Sequence, residues 1–96
     1  MSEQKKIKFA VVGAGHIGKR HAEMIKRENE AELVALVDCR SQEACEASHF
    51  EVPFFSSIDE LLQSDLEIDV VNICTPNGLH ASQSLKALEK RKHVVC

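Results

Sequence analysis

Ile7-Lys8-Phe9-Ala10-Val11-Val12-Gly13-Ala14-Gly15-His16-Ile17-Gly18 decides how this chain is read. An apolar run of strand length breaks into a G-x-G-x-x-G loop, and an acidic Asp38 follows the third glycine by twenty residues. Each glycine has its own physical task in such a loop. Gly13 permits the tight turn off the strand, Gly15 lets the backbone come close to a pyrophosphate, and Gly18 lets the next helix lie against the sheet. The pyrophosphate would sit at a helix N-terminus, where unpaired N–H groups and the positive end of the helix dipole both favour an anion.

The glycine pattern alone is common, so its flanks carry the weight. Residues 17–29 read as a helix with Ile17, Ala22, Met24 and Ile25 on its apolar side and Lys19, Arg20, Glu23, Lys26 and Arg27 largely opposite. Leu33-Val34-Ala35-Leu36-Val37 is short and apolar enough for a strand buried on both faces, and it delivers Asp38 to a strand end. There the carboxylate would accept hydrogen bonds from the adenosine ribose and repel a 2′-phosphate. The alternative is a solvated carboxylate. Arg40 either swings toward a 2′-phosphate or is simply exposed, so NAD is the expected cofactor and NADP stays open.

Ser41 suits an N-cap for a short helix through Ala47, and Val52-Pro53-Phe54-Phe55 reads as a short edge strand. Ser57-Ile58-Asp59-Glu60 fits a capping box in which Glu60 reaches back to the capping residue. A fourth strand spans Asp69-Val70-Val71-Asn72-Ile73-Cys74 and stops at Thr75-Pro76. Asn77 can cap a helix through Arg91 with Ala81, Leu85 and Leu88 on its inner face, before His93-Val94-Val95-Cys96 forms a fifth strand. Strands alternating with helices specify right-handed βαβ crossovers. The expected fold is α/β, a doubly wound parallel, Rossmann-like sheet ordered 3-2-1-4-5, in a single domain of 96 residues. Ligands of such sheets bind outside the carboxyl ends of the strands, which brings the glycine loop, Asp38 and residues 75–80 together.

A net charge of −3 and a pI near 5.9 argue against nucleic acid as a partner. Residues 1–6 are polar, without the apolar stretch of a signal peptide or a membrane span, so no membrane partner and a cytoplasmic location are expected. The four cysteines at 39, 45, 74 and 96 and the five histidines at 16, 21, 49, 80 and 93 lack zinc-like spacing. Reduced, mostly buried thiols and no metal site are expected. By spacing alone, Thr75-Pro76-Asn77-Gly78-Leu79-His80 is ordinary turn chemistry plus an N-cap, and His16 is a polar residue entering a helix.

Cys74-Thr75-Pro76-Asn77-Gly78-Leu79-His80 and the stretch from Ala87 to Cys96, taken with the glycine loop and Ile17-Gly18-Lys19-Arg20-His21, resemble the N-terminal half of the glucose–fructose oxidoreductase/inositol dehydrogenase (Gfo/Idh/MocA) family. The resemblance runs from Ile7 onward. It implies an NAD(P)-dependent dehydrogenase acting by hydride transfer on a cyclic polyol, sugar or sugar nucleotide. Thr75, Pro76 and Asn77 inherit the nicotinamide side of the cofactor, with His80 as an accessory. The Asn-Gly-Leu-His form also resembles members that oxidise UDP-linked amino-sugar uronates. Family members continue past the fifth strand into a Glu-Lys-Pro motif, whose lysine contributes to catalysis, and then into a substrate domain that forms the oligomer interface. This chain stops at Cys96, so the expectation is a cofactor-binding domain, inactive alone, of a homo-oligomeric enzyme. The competing expectation is a nucleotide-sensing module without chemistry.

Overall fold

Val11 pairs with Leu36 on one side and with Asn72 on the other, both in parallel, so the strand that enters the glycine loop is central in the sheet. The computed structural model describes residues 6–75 and 77–95, apart from the side chains of 77–80. Its elements are β1 (Ile7–Val12), α1 (His16–Arg27), β2 (Ala31–Val37), a short 3-10 turn (Ser48–Phe50), β3 (Phe54–Phe55), α2 (Ile58–Gln63), β4 (Val70–Ile73), α3 (Asn77–Glu89) and β5 (His93–Val95). The five strands are parallel and ordered β3-β2-β1-β4-β5, as expected.

Strand alternation sorts the core into two layers. Ala10 and Val12 face Ile58 and Leu61 of α2 and Ala87 of α3, whereas Val11 faces Ala22 and Ile25 of α1 together with Phe50. A bulge in the β1–β2 ladder, between Phe9 and Ala10, lets Leu33 and Leu36 share the α1 side. Among the described residues no helix is long and apolar enough to cross a membrane.

Several helical expectations are corrected. α1 buries Gly18, Ala22 and Ile25, while Ile17 and Met24 are 64% and 63% exposed, because the close approach through Gly18 rotates the contact stripe away from the larger side chains. α3 buries Ala87, but Ala81 is exposed and Leu85 and Leu88 are 60% and 55% exposed. Its inner stripe runs through half-buried Gln83 and Ser84, polar or small residues that a hydropathy pattern passes over. The expected 41–47 helix is one turn only. Ser41 Oγ does accept from the Ala44 amide at 3.1 Å, but Glu46 turns left-handed at φ 54°. The amides of Glu46 and Ala47 then close back on the carbonyls of Glu43 and Gln42, a C-terminal motif reached immediately after the start. β3 is confined to Phe54–Phe55, although the Pro53 carbonyl still accepts from Leu36 N at 3.0 Å. At α2, Ser57 Oγ accepts from Glu60 N at 3.2 Å, while Glu60 Oε1 accepts from the amide and hydroxyl of Ser56, one residue earlier than a capping box requires.

Candidate functional site: the cleft at the carboxyl ends of the strands

The loop after β1 is held from both sides. Gly13 N donates to Val37 O at 2.6 Å and Cys74 N to Val12 O at 2.7 Å, which ties the loop to β2 and to the end of β4. Gly13 has φ 97°, and a Cβ there would lie 2.8 Å from the backbone carbonyl of Cys74. A Cβ on Gly18 would lie 1.7 Å from Gly13 O, since α1 rests directly on the loop. Gly15 differs: its nearest neighbour would be Arg40 Nη2 at 3.8 Å. Gly13 and Gly18 are closed by the protein's own backbone, whereas the middle glycine meets only the exposed end of the Arg40 side chain, at van der Waals distance.

Gly15 also caps α1, so no capping side chain covers the helix N-terminus, and the first turn carries no acidic residue. Exposed His16 begins the helix. Backbone donors and a positive dipole end of this kind are chemically suited to an anion.

Asp38 follows β2 and folds back on the loop. Its Oδ2 accepts from Ala14 N at 2.8 Å and Arg40 Nη2 at 3.2 Å, and its Oδ1 from Arg40 N at 2.9 Å and Arg40 Nε at 3.1 Å. Burial acts to raise the pKa of this carboxyl, but hydrogen bonds from the Arg40 side chain and amide and from Ala14 outweigh it and hold the pKa at about 2. Burial and then the neighbouring Asp38 charge push the Cys45 thiol up. Cys39 is an exposed free thiol, against the expectation of mostly buried cysteines, whereas Cys45 is buried and Cys74 half-buried. The 38–40 turn leaves Cys39 exposed in the cleft lining as it brings Asp38 and Arg40 together.

Gly13, Gly15, His16, Ile17, Asp38, Arg40 and Thr75 all line one cleft of about 940 Å³. Ala14 and Gly18 are buried behind it and act through backbone contacts. Pro76 lies outside the described residues; Asn77 and His80 fall in the first turn of α3, with side chains outside the description. Thr75 Oγ1 donates to Gln83 Oε1 at 2.5 Å, which fastens the loop after β4 to α3.

Sequence reasoning missed the opposite wall. Ser57 and Asp59 of the α2 start and Gln83 and Lys86 of α3 also line the cleft, and Lys86 Nζ meets Asp59 Oδ2 at 3.0 Å. The signal was available, because the loop after β3 ends at the same sheet edge as those after β1, β2 and β4. His21 lies elsewhere, with Nδ1 3.3 Å from Nδ2 of buried Asn72. Among the described residues no group of three or more His, Cys, Asp or Glu is placed to hold a metal ion.

Known proteins share this fold and much of its sequence. The sequence model described as an oxidoreductase family with an NAD-binding Rossmann fold, Gfo/Idh/MocA, matches residues 7–96. An uncharacterized oxidoreductase of Streptococcus pneumoniae is 38% identical over 90 residues, covering 94% of this chain and 24% of that protein. Scyllo-inositol dehydrogenase from Lactobacillus casei, solved with NAD(H) and scyllo-inositol, superposes with a TM-score of 0.84 at 35% identity over 94% of this chain and 27% of its own. The WlbA dehydrogenase of Bordetella pertussis, solved with NADH and UDP-GlcNAcA, gives 0.82 at 33% identity, over 94% of this chain and 28% of its own. The chain thus spans about a quarter of the length of these relatives. With the glycine loop, the strand order and the sequence match in agreement, the chain belongs to the Gfo/Idh/MocA oxidoreductase family and carries its NAD-binding Rossmann fold.

Proposed function

We propose that residues 1–96 form one dinucleotide-binding domain that holds NAD along the cleft, as the cofactor-binding part of a dehydrogenase. Gly13, Ala14, Gly15, His16, Ile17 and Gly18 form the pyrophosphate loop, and Asp38 takes the ribose hydroxyls. By their motif, Thr75, Pro76, Asn77 and His80 belong to the nicotinamide side. The observation that carries this reading is the contrast among the glycines. Among the three glycines of the loop, only at Gly15, beside the N-terminus of α1, would a Cβ lack close backbone neighbours. That is the space a phosphate needs in order to reach the amides.

The chemistry proposed for the whole protein is hydride transfer between nicotinamide and a cyclic polyol, sugar or sugar nucleotide. The two solved relatives support it, one solved with NAD(H) and scyllo-inositol and the other with NADH and UDP-GlcNAcA. NAD supplies the hydride acceptor when bound; this chain's residues grip, orient and partly desolvate its adenosine and pyrophosphate. The whole protein is further proposed to be a homo-oligomer.

Calorimetry with NAD on the wild type and on Gly15→Val tests the site. Heat of binding in the wild type and none in the variant is expected, whereas equal heats would refute the site. Turnover is followed by NADH absorbance with polyols, hexoses and UDP-sugar uronates in the longest chain carrying these residues. Binding of NAD without turnover of every such substrate would favour a sensing module.

A further inference from the structure

A carboxylate has four lone-pair directions, and in Asp38 all four are taken. Two are held by main-chain donors, Ala14 N on Oδ2 and Arg40 N on Oδ1. The other two are held by one side chain, with Arg40 Nη2 on Oδ2 at 3.2 Å and Nε on Oδ1 at 3.1 Å. The adjacent 2′ and 3′ hydroxyls of a ribose need one acceptor each. They match what the guanidinium occupies and leave the main-chain bonds intact.

We infer that Arg40 is a latch on the ribose position: its guanidinium fills the two hydrogen-bond sites that the ribose diol must take, and it turns off Asp38 when a dinucleotide enters. This rests on the NAD-binding reading above. Two observations make the exchange feasible. The Arg40 side chain is 55% exposed, so it can leave without a packing cost. Its Nη2 also lies 3.8 Å from where a Gly15 Cβ would be, so a dinucleotide seated on the loop meets the guanidinium and needs it to move. A 2′-phosphorylated ribose gives the released guanidinium a partner that the ribose of NAD does not, which offsets repulsion by Asp38. Arg40 therefore lowers affinity for NAD and raises it for NADP.

The test is titration calorimetry of NAD and NADP against the wild type, Arg40→Ala, Arg40→Lys and Gly15→Val, with thermal unfolding to verify each fold. An exposed ion pair of this kind is worth roughly two- to fivefold in an equilibrium constant. Arg40→Ala is expected to bind NAD about that much more tightly and NADP at least about that much more weakly. Arg40→Lys keeps the charge without the fork, so it follows Ala for NAD and the wild type more nearly for NADP. The Arg40 Hε resonance, held by Asp38, is expected to lose that bond's shift on saturation with NAD. Unchanged or weaker NAD binding in both Arg40 variants, with binding abolished in Gly15→Val, would overturn the latch and leave the site standing. Absence of NAD binding to the wild type and to both Arg40 variants would instead overturn the reading of the site.

Discussion

The Cβ that Gly18 lacks would lie 1.7 Å from the carbonyl oxygen of Gly13, so the third glycine of the loop is required by the first. This contact, and the lack of close backbone neighbours at Gly15, separate positions that the motif presents together. Gly13 and Gly18 are conditions for folding, and Gly15 is the position at which the proposed ligand role is tested.

Gly18→Ala and Gly13→Ala are accordingly expected to destabilise by at least about 2 kcal/mol, the first by backbone collision and the second also by its positive φ. Gly15→Ala has φ −77° and ψ −164°, a conformation open to any residue, and is expected to change stability by under about 0.5 kcal/mol while weakening NAD binding. Denaturant melts beside NAD titrations check this. Equal stability loss in all three would contradict the division of roles.

The Asp38 carboxyl gives a pH signature. Its folded pKa of about 2 lies below the ordinary 3.8, so its contribution is fully present above the unfolded value and is lost as pH falls through the folded one. The expected contribution is about 1 kcal/mol, because the exposed Arg40 end of the pair is screened. Asp38→Asn should remove that part of the acid dependence. Parallel stability curves for both proteins from neutral pH down to about 2 would show that the pair contributes nothing.

On α3, Leu85→Ser and Leu88→Ser are expected to cost no more than about 0.5 kcal/mol in this chain, since both side chains are more than half exposed. Ala87→Leu should cost about 1–3 kcal/mol, because Ala87 has no exposure and packs in the α2–α3 core layer. Chemical denaturation of the three variants decides between this inner face and the leucine face.

Arg91 ends α3 in the left-handed region at φ 61°, with its amide bonded to Leu88 O and the Lys92 amide to Ala87 O. That closing motif favours glycine. Arg91→Gly is expected to raise the melting temperature, with a gain of up to about 1 kcal/mol from relieved backbone strain. A lower melting temperature would mean that the arginine side chain contributes more than the strain costs.

The sequence alone carried the fold class, because strands alternating with helices specify right-handed βαβ units, and the glycine loop with its acid twenty residues on pointed to the 3-2-1-4-5 order among the doubly wound sheets. It also determined that Gly13–Gly18, Asp38 and Thr75 meet, since the ends of parallel strands share an edge. Tertiary structure alone decided which side of each helix is buried. Small residues such as Gly18 and Ala87 allow close approach, and that geometry outweighed the larger apolar surfaces of Met24, Leu85 and Leu88. It likewise decided that Arg40 closes on Asp38 and that α2 and α3 supply the far wall of the cleft. Contacts between side chains from separate elements depend on distances that no local pattern encodes.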